Sequence, residues 1–196
     1  MSIPLRCRCG QVQGELDADR AYVRATCYCK SCRAYAQWLG TQGLLDDAGG
    51  VDIIAMAPSK LRFTAGESQV ACMTLGERGI LRWYAACCRT PLGNTSRTPA
   101  LHYVGVSTAC LEGAPEAVDA AVGPAGRCVL NTESATAPVK RTRWAFVRGG
   151  VRIMAGVLGA KLKGRRESPF FEGATGRPIR EPEVVRRCTG TGGVTG

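Results

Sequence analysis

The stretch CYCKSCR, residues 27–33, places three cysteines within six residues. A tight turn can direct thiolates that are separated by one or two residues at a single metal ion. Residues 30–39 have an apolar side, and Gly40 directly after them is a typical helix end. The sequence therefore predicts a short helix over residues 30–39 that starts at a cysteine-bearing turn.

Two further cysteine turns lie far from this stretch along the chain, CRCG at residues 7–10 and CCRTPL at residues 87–92. Zinc in proteins is usually held by four ligands in a tetrahedron, and thiolates are among its preferred ligands. Three such turns can supply one or two sites, and iron in an all-cysteine site is also compatible with the pattern. The predicted metal ligands are Cys7, Cys9, Cys27, Cys29, Cys32, Cys87 and Cys88.

The other cysteines and the single histidine have a different sequence context. Isolated positions in apolar or terminal segments favour buried thiols that pack as small apolar residues, and these are Cys72, Cys110, Cys128 and Cys188. His102 lies in the strand-like run ALHYVGV, which favours a core or edge position over a ligand or a general base. One histidine excludes a multi-histidine metal site, so acid–base chemistry would depend on carboxylates, tyrosines or metal-bound water.

Cysteine usage and apolar runs bear on the location of the protein. No apolar run of signal-peptide length precedes the first cysteines, and no stretch approaches the roughly 20 apolar residues of a spanning helix. We therefore expect a cytoplasmic protein without a transmembrane segment. Reducing conditions keep thiols free there, and the 11 cysteines cannot all pair within one chain. Metal binding or thiol chemistry is thus favoured over a disulfide framework.

Composition and strand patterns predict a mainly β fold. The chain has 25 glycines and 10 prolines, which indicates many turns between short elements. Runs of β-branched, aromatic and alternating apolar residues are bounded by these turn residues. The predicted strands are residues 11–16, 21–27, 51–56, 61–64, 69–75, 80–86 and 101–106. Their spacing favours a small antiparallel β-sheet.

The last third of the chain is strongly basic. Residues 1–138 contain thirteen Lys and Arg against twelve Asp and Glu, whereas residues 139–196 contain thirteen against four. Apolar residues at loosely helical spacing predict a helix at residues 144–162, although four glycines weaken it. Residues 188–196 are predicted to be disordered. The basic charge is compatible with a solvated face, with nucleic-acid binding and with an anionic membrane surface.

The segment PFFEGATGRPIREP, residues 169–182, interrupts this basic third with two adjacent aromatic residues, Phe170 and Phe171. We expect it to dock back on the β domain as an apolar anchor. A cover over a substrate site is the alternative interpretation.

At its cysteine turns the sequence resembles the glutathione-dependent formaldehyde-activating enzyme (GFA) family, which also contains the centromere-protein-V-like domains. That family has C-x-C-G near its N-terminus, C-x-C-x-x-C-R some twenty residues later, and aromatic-C-x-x-C-G-T-P-L further on. The first two motifs are intact here at residues 7–10 and 27–33, and the resemblance spans about residues 5–106. It predicts a GFA-like zinc-binding β domain at residues 1–110. An Ala/Gly-rich and then basic extension, residues 111–196, would pack on that domain.

The third motif departs from the family pattern. Aligning Tyr84 with the family aromatic residue places Cys88 on the second cysteine. The same alignment places Ala85 on the first cysteine and Arg89 on the glycine. Cys87 is an additional neighbour that can replace the missing ligand; otherwise a cysteine of residues 27–32 would be recruited and a single site would remain. This pattern is typical of a divergent branch.

The resemblance implies two kinds of zinc site and an activity. In the family, the outer motifs hold a structural zinc and the C-x-C-x-x-C triplet holds a zinc associated with activity. The implied structural ligands are Cys7, Cys9 and Cys88, with Cys87 as the candidate fourth. The implied catalytic ligands are Cys27, Cys29 and Cys32. The implied reaction is of the carbon–sulfur lyase type, on an adduct of a thiol such as glutathione with a small aldehyde such as formaldehyde.

Two functional hypotheses follow from these observations. In the first, the chain is an enzyme of this lyase type, and cations near the motifs are candidates to bind the carboxylates of glutathione: Lys30, Arg33 and Arg89. In the second, it is a non-enzymatic, zinc-stabilised binding module. The basic C-terminal third would then contact nucleic acid or another anionic partner.

Overall fold

A computed structural model of the chain describes residues 1–113, 115–162 and 167–185. Within these ranges the protein is mainly β, with eleven strands in two sheets and three α-helices. The strands are β1 (Ser2–Arg6), β2 (Gln13–Asp17), β3 (Ala21–Cys27), β4 (Val51–Met56), β5 (Leu61–Ala65), β6 (Val70–Leu75), β7 (Leu81–Ala85), β8 (Thr90–Thr95), β9 (Val104–Ser107), β10 (Val129–Leu130) and β11 (Glu183–Val185). The helices are α1 (Lys30–Leu39), α2 (Pro115–Val122) and α3 (Arg143–Leu162).

The strands form a three-stranded sheet in the order β1-β2-β5 and an eight-stranded sheet in the order β10-β3-β4-β9-β8-β7-β6-β11. All pairings are antiparallel except the two at the edges of the larger sheet, where β10 pairs with β3 and β11 pairs with β6 in parallel. The larger sheet therefore has more strands than the predicted small antiparallel sheet, and it contains parallel as well as antiparallel pairs. Both parallel edge strands come from residues after 110, although the predicted division at that residue remains a prediction.

Each predicted strand overlaps an observed one, but β1, β8, β10 and β11 were not predicted. In β8, Pro91 and Gly93 are poor strand residues. Two local features accommodate them. The ladder between β7 and β8 shifts register between Trp83 and Tyr84, next to the position where Pro91 pairs, and an irregular ladder tolerates a residue without an N–H. A Cβ on Gly93 would lie 2.9 Å from the carbonyl oxygen of Gly105 on β9. Close strand approach therefore requires glycine there.

Helix α1 has the predicted bounds. Its N-cap is Cys29, whose sulfur accepts a hydrogen bond from the Cys32 backbone N–H, and it ends at Gly40 in the left-handed conformation with φ 70°. The Tyr35 hydroxyl donates to the carbonyl oxygen of Trp83 on β7 at 3.0 Å. That bond fixes the helix, and the cysteine turn before it, against the larger sheet.

The main core lies around Trp83 and Phe170, both with 0% exposure. Their rings stack with centroids 4.9 Å apart, and the Phe63 ring meets the Phe170 ring edge-on at 5.6 Å. Phe171 is also buried and contacts the Trp83 ring. The expectation that residues 169–182 act as an apolar anchor is therefore confirmed. The predicted disorder of residues 188–196 falls outside the described residues.

Helix α3 packs on β3 with its small residues, which include Gly149 and Ala160. A Cβ on Gly156 would lie 2.2 Å from Cε1 of Tyr22. The glycines that lower helix propensity thus allow the helix to approach the sheet closely. The predicted helix is confirmed, with one additional residue at its N-terminal end.

Among the helices within the described ranges, none has the length and the apolar character needed to cross a membrane.

We expect Phe170→Ala to lower the free energy of unfolding by about 3–5 kcal/mol, because it removes a fully buried aromatic ring from the centre of the core. Phe146→Ala is the matched control, since that ring is 53% exposed on α3 and its loss should change stability by about 0.5 kcal/mol or less. Urea denaturation followed by circular dichroism measures both. Equal losses would show that residues 169–182 contribute little to the core.

Candidate metal centre

Four cysteine sulfurs from two distant turns meet in one cluster, called here the four-sulfur group: Cys7, Cys9, Cys87 and Cys88. All four Sγ atoms lie within 4.8 Å of one another. The Sγ atom of Cys9 is 3.6 Å from that of Cys7 and 3.3 Å from that of Cys87. Cys87 lies 3.8 Å from Cys7 and 3.9 Å from Cys88. A tetrahedral zinc with Zn–S bonds of about 2.3 Å needs sulfurs about 3.8 Å apart, so this donor set fits such an ion.

The first turn of this group is closed by its own backbone. The Cys7 N–H donates to the carbonyl oxygen of Val12 at 2.9 Å, and the Gly10 N–H donates to the carbonyl oxygen of Cys7 at 2.8 Å. The Val12 N–H in turn donates to the Sγ atom of Cys7 at 3.2 Å. These hydrogen bonds fix the turn, so they hold the Cys7 sulfur in place as a ligand.

The second turn connects β7 to β8 and departs from ordinary backbone geometry at Arg89. The N–H groups of Cys88 and Arg89 both donate to the carbonyl oxygen of Ala85, at 3.3 and 2.7 Å. Arg89 has φ 57°, a left-handed conformation that normally favours glycine. Its guanidinium donates to the carbonyl oxygen of Trp38 at 3.1 Å and lies 5.3 Å from the centroid of that ring.

Cys87 supplies the sulfur that Ala85 lacks. Ala85 is a fully buried strand residue paired with Thr90, so its methyl group belongs to the core. Cys87, two residues later, has the shortest sulfur–sulfur distance in the group, to Cys9. The group therefore reaches four sulfurs without recruiting any cysteine from residues 27–32.

The remaining three predicted ligands form a separate cluster, called here the three-sulfur group: Cys27, Cys29 and Cys32. Cys27 ends β3, whereas Cys29 caps α1 and Cys32 lies in its first turn. The Asn131 side chain donates to the Sγ atom of Cys27 at 3.4 Å. Cys27 and Cys32 are buried and Cys29 is partly exposed. The group is therefore open to solvent at Cys29.

Arg82 places a buried positive charge beside the three-sulfur group. Its side chain is 2% exposed, and its guanidinium lies 3.9 Å from the Sγ atom of Cys32 and 2.8 Å from the hydroxyl of Ser31. None of the ion pairs found among the described residues includes Arg82. A buried cation requires a compensating anion, and the thiolates are the anionic groups available. Contact with Cys27 and Cys29 raises the pKa of Cys32 overall, and the charge of Arg82 opposes this rise.

The pKa values of the thiols diverge within each group. Hydrogen bonds from Cys27 and Cys32 lower the pKa of Cys29, whereas contact with Cys27 and Cys29 raises the pKa of Cys32. Burial raises the pKa of Cys88, but hydrogen bonds from Thr90, Cys9 and Cys7 outweigh it and lower that pKa to about 6. Neighbouring thiolates repel one another, so one sulfur ionises at the expense of the others. A bound divalent cation would remove this conflict.

Other polar groups surround the three-sulfur group. Burial, followed by charge at Cys27 and Cys32, raises the pKa of the Tyr103 phenol to about 12. An enclosed cavity of about 20 Å³ is lined by Cys32, Arg82 and Ser107, which is room for one water molecule. The Ser107 hydroxyl is buried and has no hydrogen-bond partner among the described residues. A single water would satisfy it.

The cations proposed to bind glutathione carboxylates differ in availability. Arg33 donates to the carbonyl oxygen of Ser134 at 2.9 Å and Arg89 donates to that of Trp38, so both are engaged by backbone. Lys30 is exposed at the start of α1. Of the three, Lys30 has the side chain most accessible to a ligand.

His102 is 2% exposed, and its Nε2 atom lies 3.3 Å from the hydroxyl of Ser59, which confirms a core position. Three isolated cysteines are buried as predicted: Cys72, Cys110 and Cys128. Cys188 lies outside the described residues.

Sequence reasoning missed three side chains that contact the three-sulfur group: Ser31, Arg82 and Asn131. Ser31 lies within the cysteine turn itself and carries a hydroxyl 3.5 Å from the Sγ atom of Cys29. Arg82 stands in the apolar strand run LRWYA, where a buried charge in itself indicates a partner. Asn131 comes from the extension after residue 110, and β10 places it there by pairing with Thr26 and Cys27.

Comparison with known proteins places these clusters in a family context. A family model described as a family of unknown function, DUF6151, matches residues 1–183. No curated protein matches significantly. A crystal structure of a Rhodobacter sphaeroides protein is similar, with 23% sequence identity and a TM-score of 0.43, over 64% of this chain and 99% of that one.

We expect two metal equivalents per chain, because the two sulfur groups are separate. Cys29→Ser should lose one equivalent and keep the fold, whereas Cys7→Ser should lose the other and lower stability. Elemental analysis of purified protein measures both. Cys110→Ser is the matched control and should retain two equivalents, since its buried thiol donates to the carbonyl oxygen of Ser107 at 3.0 Å, a bond that serine can make. A wild-type protein that holds a single equivalent, unchanged in Cys29→Ser, would contradict a second metal site.

We expect Arg89→Gly to be more stable than Arg89→Ala by about 1 kcal/mol, because both lose the contacts to Trp38 but only glycine relieves the left-handed conformation. Thermal denaturation of the two variants gives the difference. Equal stabilities would show that the turn relaxes to another conformation when the side chain is removed.

Proposed function

We propose that this chain, which belongs to the DUF6151 family of unknown function, is a zinc-dependent, carbon–sulfur lyase-like enzyme acting on a thiol–aldehyde adduct of the glutathione–formaldehyde type. The observation that carries the proposal is the pairing of a four-sulfur group with a separate three-sulfur group that is open at Cys29. Four protein ligands suit a structural zinc, whereas three leave a position for a reactant.

The three-sulfur group would be the reaction site. Zinc held there would act as a Lewis acid toward an oxygen atom or favour the ionised form of a thiol. Cys27 and Cys32 are buried on the protein side, so a reactant would approach past Cys29. Arg82 holds Ser31, and Ser31 contacts the Sγ atom of Cys29. This chain of contacts would fix the orientation of the one ligand that faces solvent.

The reaction joins a thiol to an aldehyde without an external oxidant or reductant. In the forward direction the thiol sulfur attacks the carbonyl carbon, a C–S bond forms, and the carbonyl π electrons move to oxygen. The thiol proton is transferred to that oxygen, which gives a hydroxymethyl thioether; the lyase direction reverses each of these steps. Ser31 and Tyr103 carry O–H groups near the sulfurs and are the candidates among this chain's residues to pass the proton.

Binding of the thiol would depend on groups at the start of α1. Lys30 is the accessible cation there, and a glutathione carboxylate beside it would also lie near the helix N-terminus, which favours negative charge. Arg33 and Arg89 each engage one backbone carbonyl and would contribute mainly positive potential. This arrangement supports a small anionic thiol as the substrate class.

A second candidate function is the non-enzymatic, zinc-stabilised binding module with an anionic partner. The observation that favours it is the run of residues 134–166, which contains nine Lys and Arg and no Asp or Glu. In that case both metals would be structural, and the surface of α3 would carry the function.

The two candidates are distinguished by the rate at which the protein exchanges formaldehyde with its glutathione adduct, measured by exchange NMR with ¹³C-labelled formaldehyde. The wild-type protein should accelerate the exchange, and Cys29→Ser should reduce that acceleration at least about 100-fold while the four-sulfur group keeps its metal. Cys110→Ser, a buried thiol outside both groups, should retain the wild-type rate. An unchanged rate in Cys29→Ser would refute the lyase assignment and favour the binding module.

A further inference from the structure

We propose that helix α3 binds the surface of an anionic lipid membrane, with its outward apolar stripe inserted between the headgroups and its cations against lipid phosphates. This inference rests on the outward face of α3 and on neither sulfur group. A failure of the lyase proposal would therefore not affect it.

In α3 the distribution of small and large side chains differs from that of an ordinary surface helix. Its positions closest to the sheet are small, because Gly149 and Ala160 are buried and Gly156 lies against the Tyr22 ring. The larger Ile153 and Val157 are half-buried beside them. A helix that docks only to complete a core usually directs its large apolar residues inward. Here the helix packs on the sheet through its glycines, and most of its large apolar side chains face outward.

The outward face is a continuous apolar stripe, called here the α3 stripe. Its members recur every three or four residues, which places them on one side of the helix. They are Trp144 (88% exposed), Val147 (54%), Val151 (62%), Met154 (67%), Leu158 (58%) and Leu162 (79%). At 1.5 Å per residue the stripe is about 27 Å long. An exposed apolar surface of this extent marks an interaction site.

Cations border the α3 stripe on both sides. At 100° per residue, Arg148 and Arg152 lie along one border, and Arg143 and Lys161 lie along the other. Long basic side chains beside an apolar face reach from it to the headgroup level. Trp144 and Phe146, at the N-terminal end, are residue types that favour the membrane interface. The face therefore matches an anionic lipid surface in both polarity and charge.

The same charges disfavour the other occupants of this face. A second copy of the chain, docked stripe to stripe, would bring four cations against four cations, and the helix has no Asp or Glu to balance them. Double-stranded nucleic acid would engage the borders but leave the apolar residues between them without a partner. An anionic bilayer satisfies both features at once.

A groove beside the helix adds a site of headgroup size. It has a volume of about 800 Å³ and includes Arg127, Arg148 and Arg152. The two carboxylates on its wall are already paired, since Asp119 pairs with Arg24, which also lines the groove, and Asp19 pairs with the N-terminal amino group. None of the ion pairs within the described residues includes the three arginines. The groove thus presents net positive charge next to the α3 stripe.

The test is co-sedimentation of the full, metal-loaded chain with vesicles of phosphatidylcholine alone and of phosphatidylcholine with one quarter phosphatidylglycerol. We expect binding to the anionic vesicles at least about 10-fold tighter than to the neutral ones, and a blue shift of Trp144 fluorescence on binding. The double variant Val151→Glu/Met154→Glu should weaken binding at least about 10-fold. Arg148→Gln/Arg152→Gln should weaken it about 5-fold per cation removed.

Ile80→Glu is the matched control, because Ile80 is an exposed apolar residue before β7, far from α3 in the sheet order. It should bind as the wild type does. Circular dichroism and metal content establish that each variant is folded. If Val151→Glu/Met154→Glu binds anionic vesicles as tightly as the wild type, the proposal is overturned. If the protein does not bind vesicles, a concentration-dependent dimer would also overturn the proposal. Without vesicle binding, duplex-DNA binding that is unchanged in Val151→Glu/Met154→Glu would overturn it as well.

Discussion

Four sulfurs from opposite ends of the first ninety residues lie close together. Cys7 and Cys9 belong to the connection between β1 and β2, whereas Cys87 and Cys88 belong to the turn after β7. Sulfurs 3.3 to 3.9 Å apart cannot all ionise without a cation among them. A metal at this point would join the small sheet to the large one by coordination bonds as well as by apolar packing.

The two sulfur groups are mechanically connected although they are separate in coordination. Arg89 follows the four-sulfur turn and is bound to Trp38 near the end of α1, while Cys29 and Cys32 are at the beginning of that helix. Arg82 adds a second connection, because it lies on β7 just before the same turn and contacts Cys32. A rearrangement of the turn that carries Cys87 would therefore be transmitted to the other group through two arginines.

Much of this architecture could be predicted from the sequence, because cysteine spacing and strand patterns are local signals. The bounds of α1 and β4 and the membership of both sulfur groups follow from motifs of a few residues. What could not be predicted depends on distant parts of the chain. Asn131 reaches Cys27 only because β10 pairs with β3, and Arg82 reaches Cys32 only because α1 packs across β7. The strand β8 could not be predicted because Pro91 and Gly93 disfavour a strand by themselves. The neighbouring strands β7 and β9 accommodate them.

The two parallel edge strands have a consequence for the growing chain on the ribosome. β10 pairs with the last two residues of β3, and β11 pairs with the last three residues of β6. Both of these strands are synthesised after every other strand of the larger sheet. Until then β3 and β6 present unpaired N–H and C=O groups, which can pair with another nascent chain. Chaperone demand during translation should therefore be greatest before β11 emerges, and premature termination between β9 and β11 should yield products prone to aggregate.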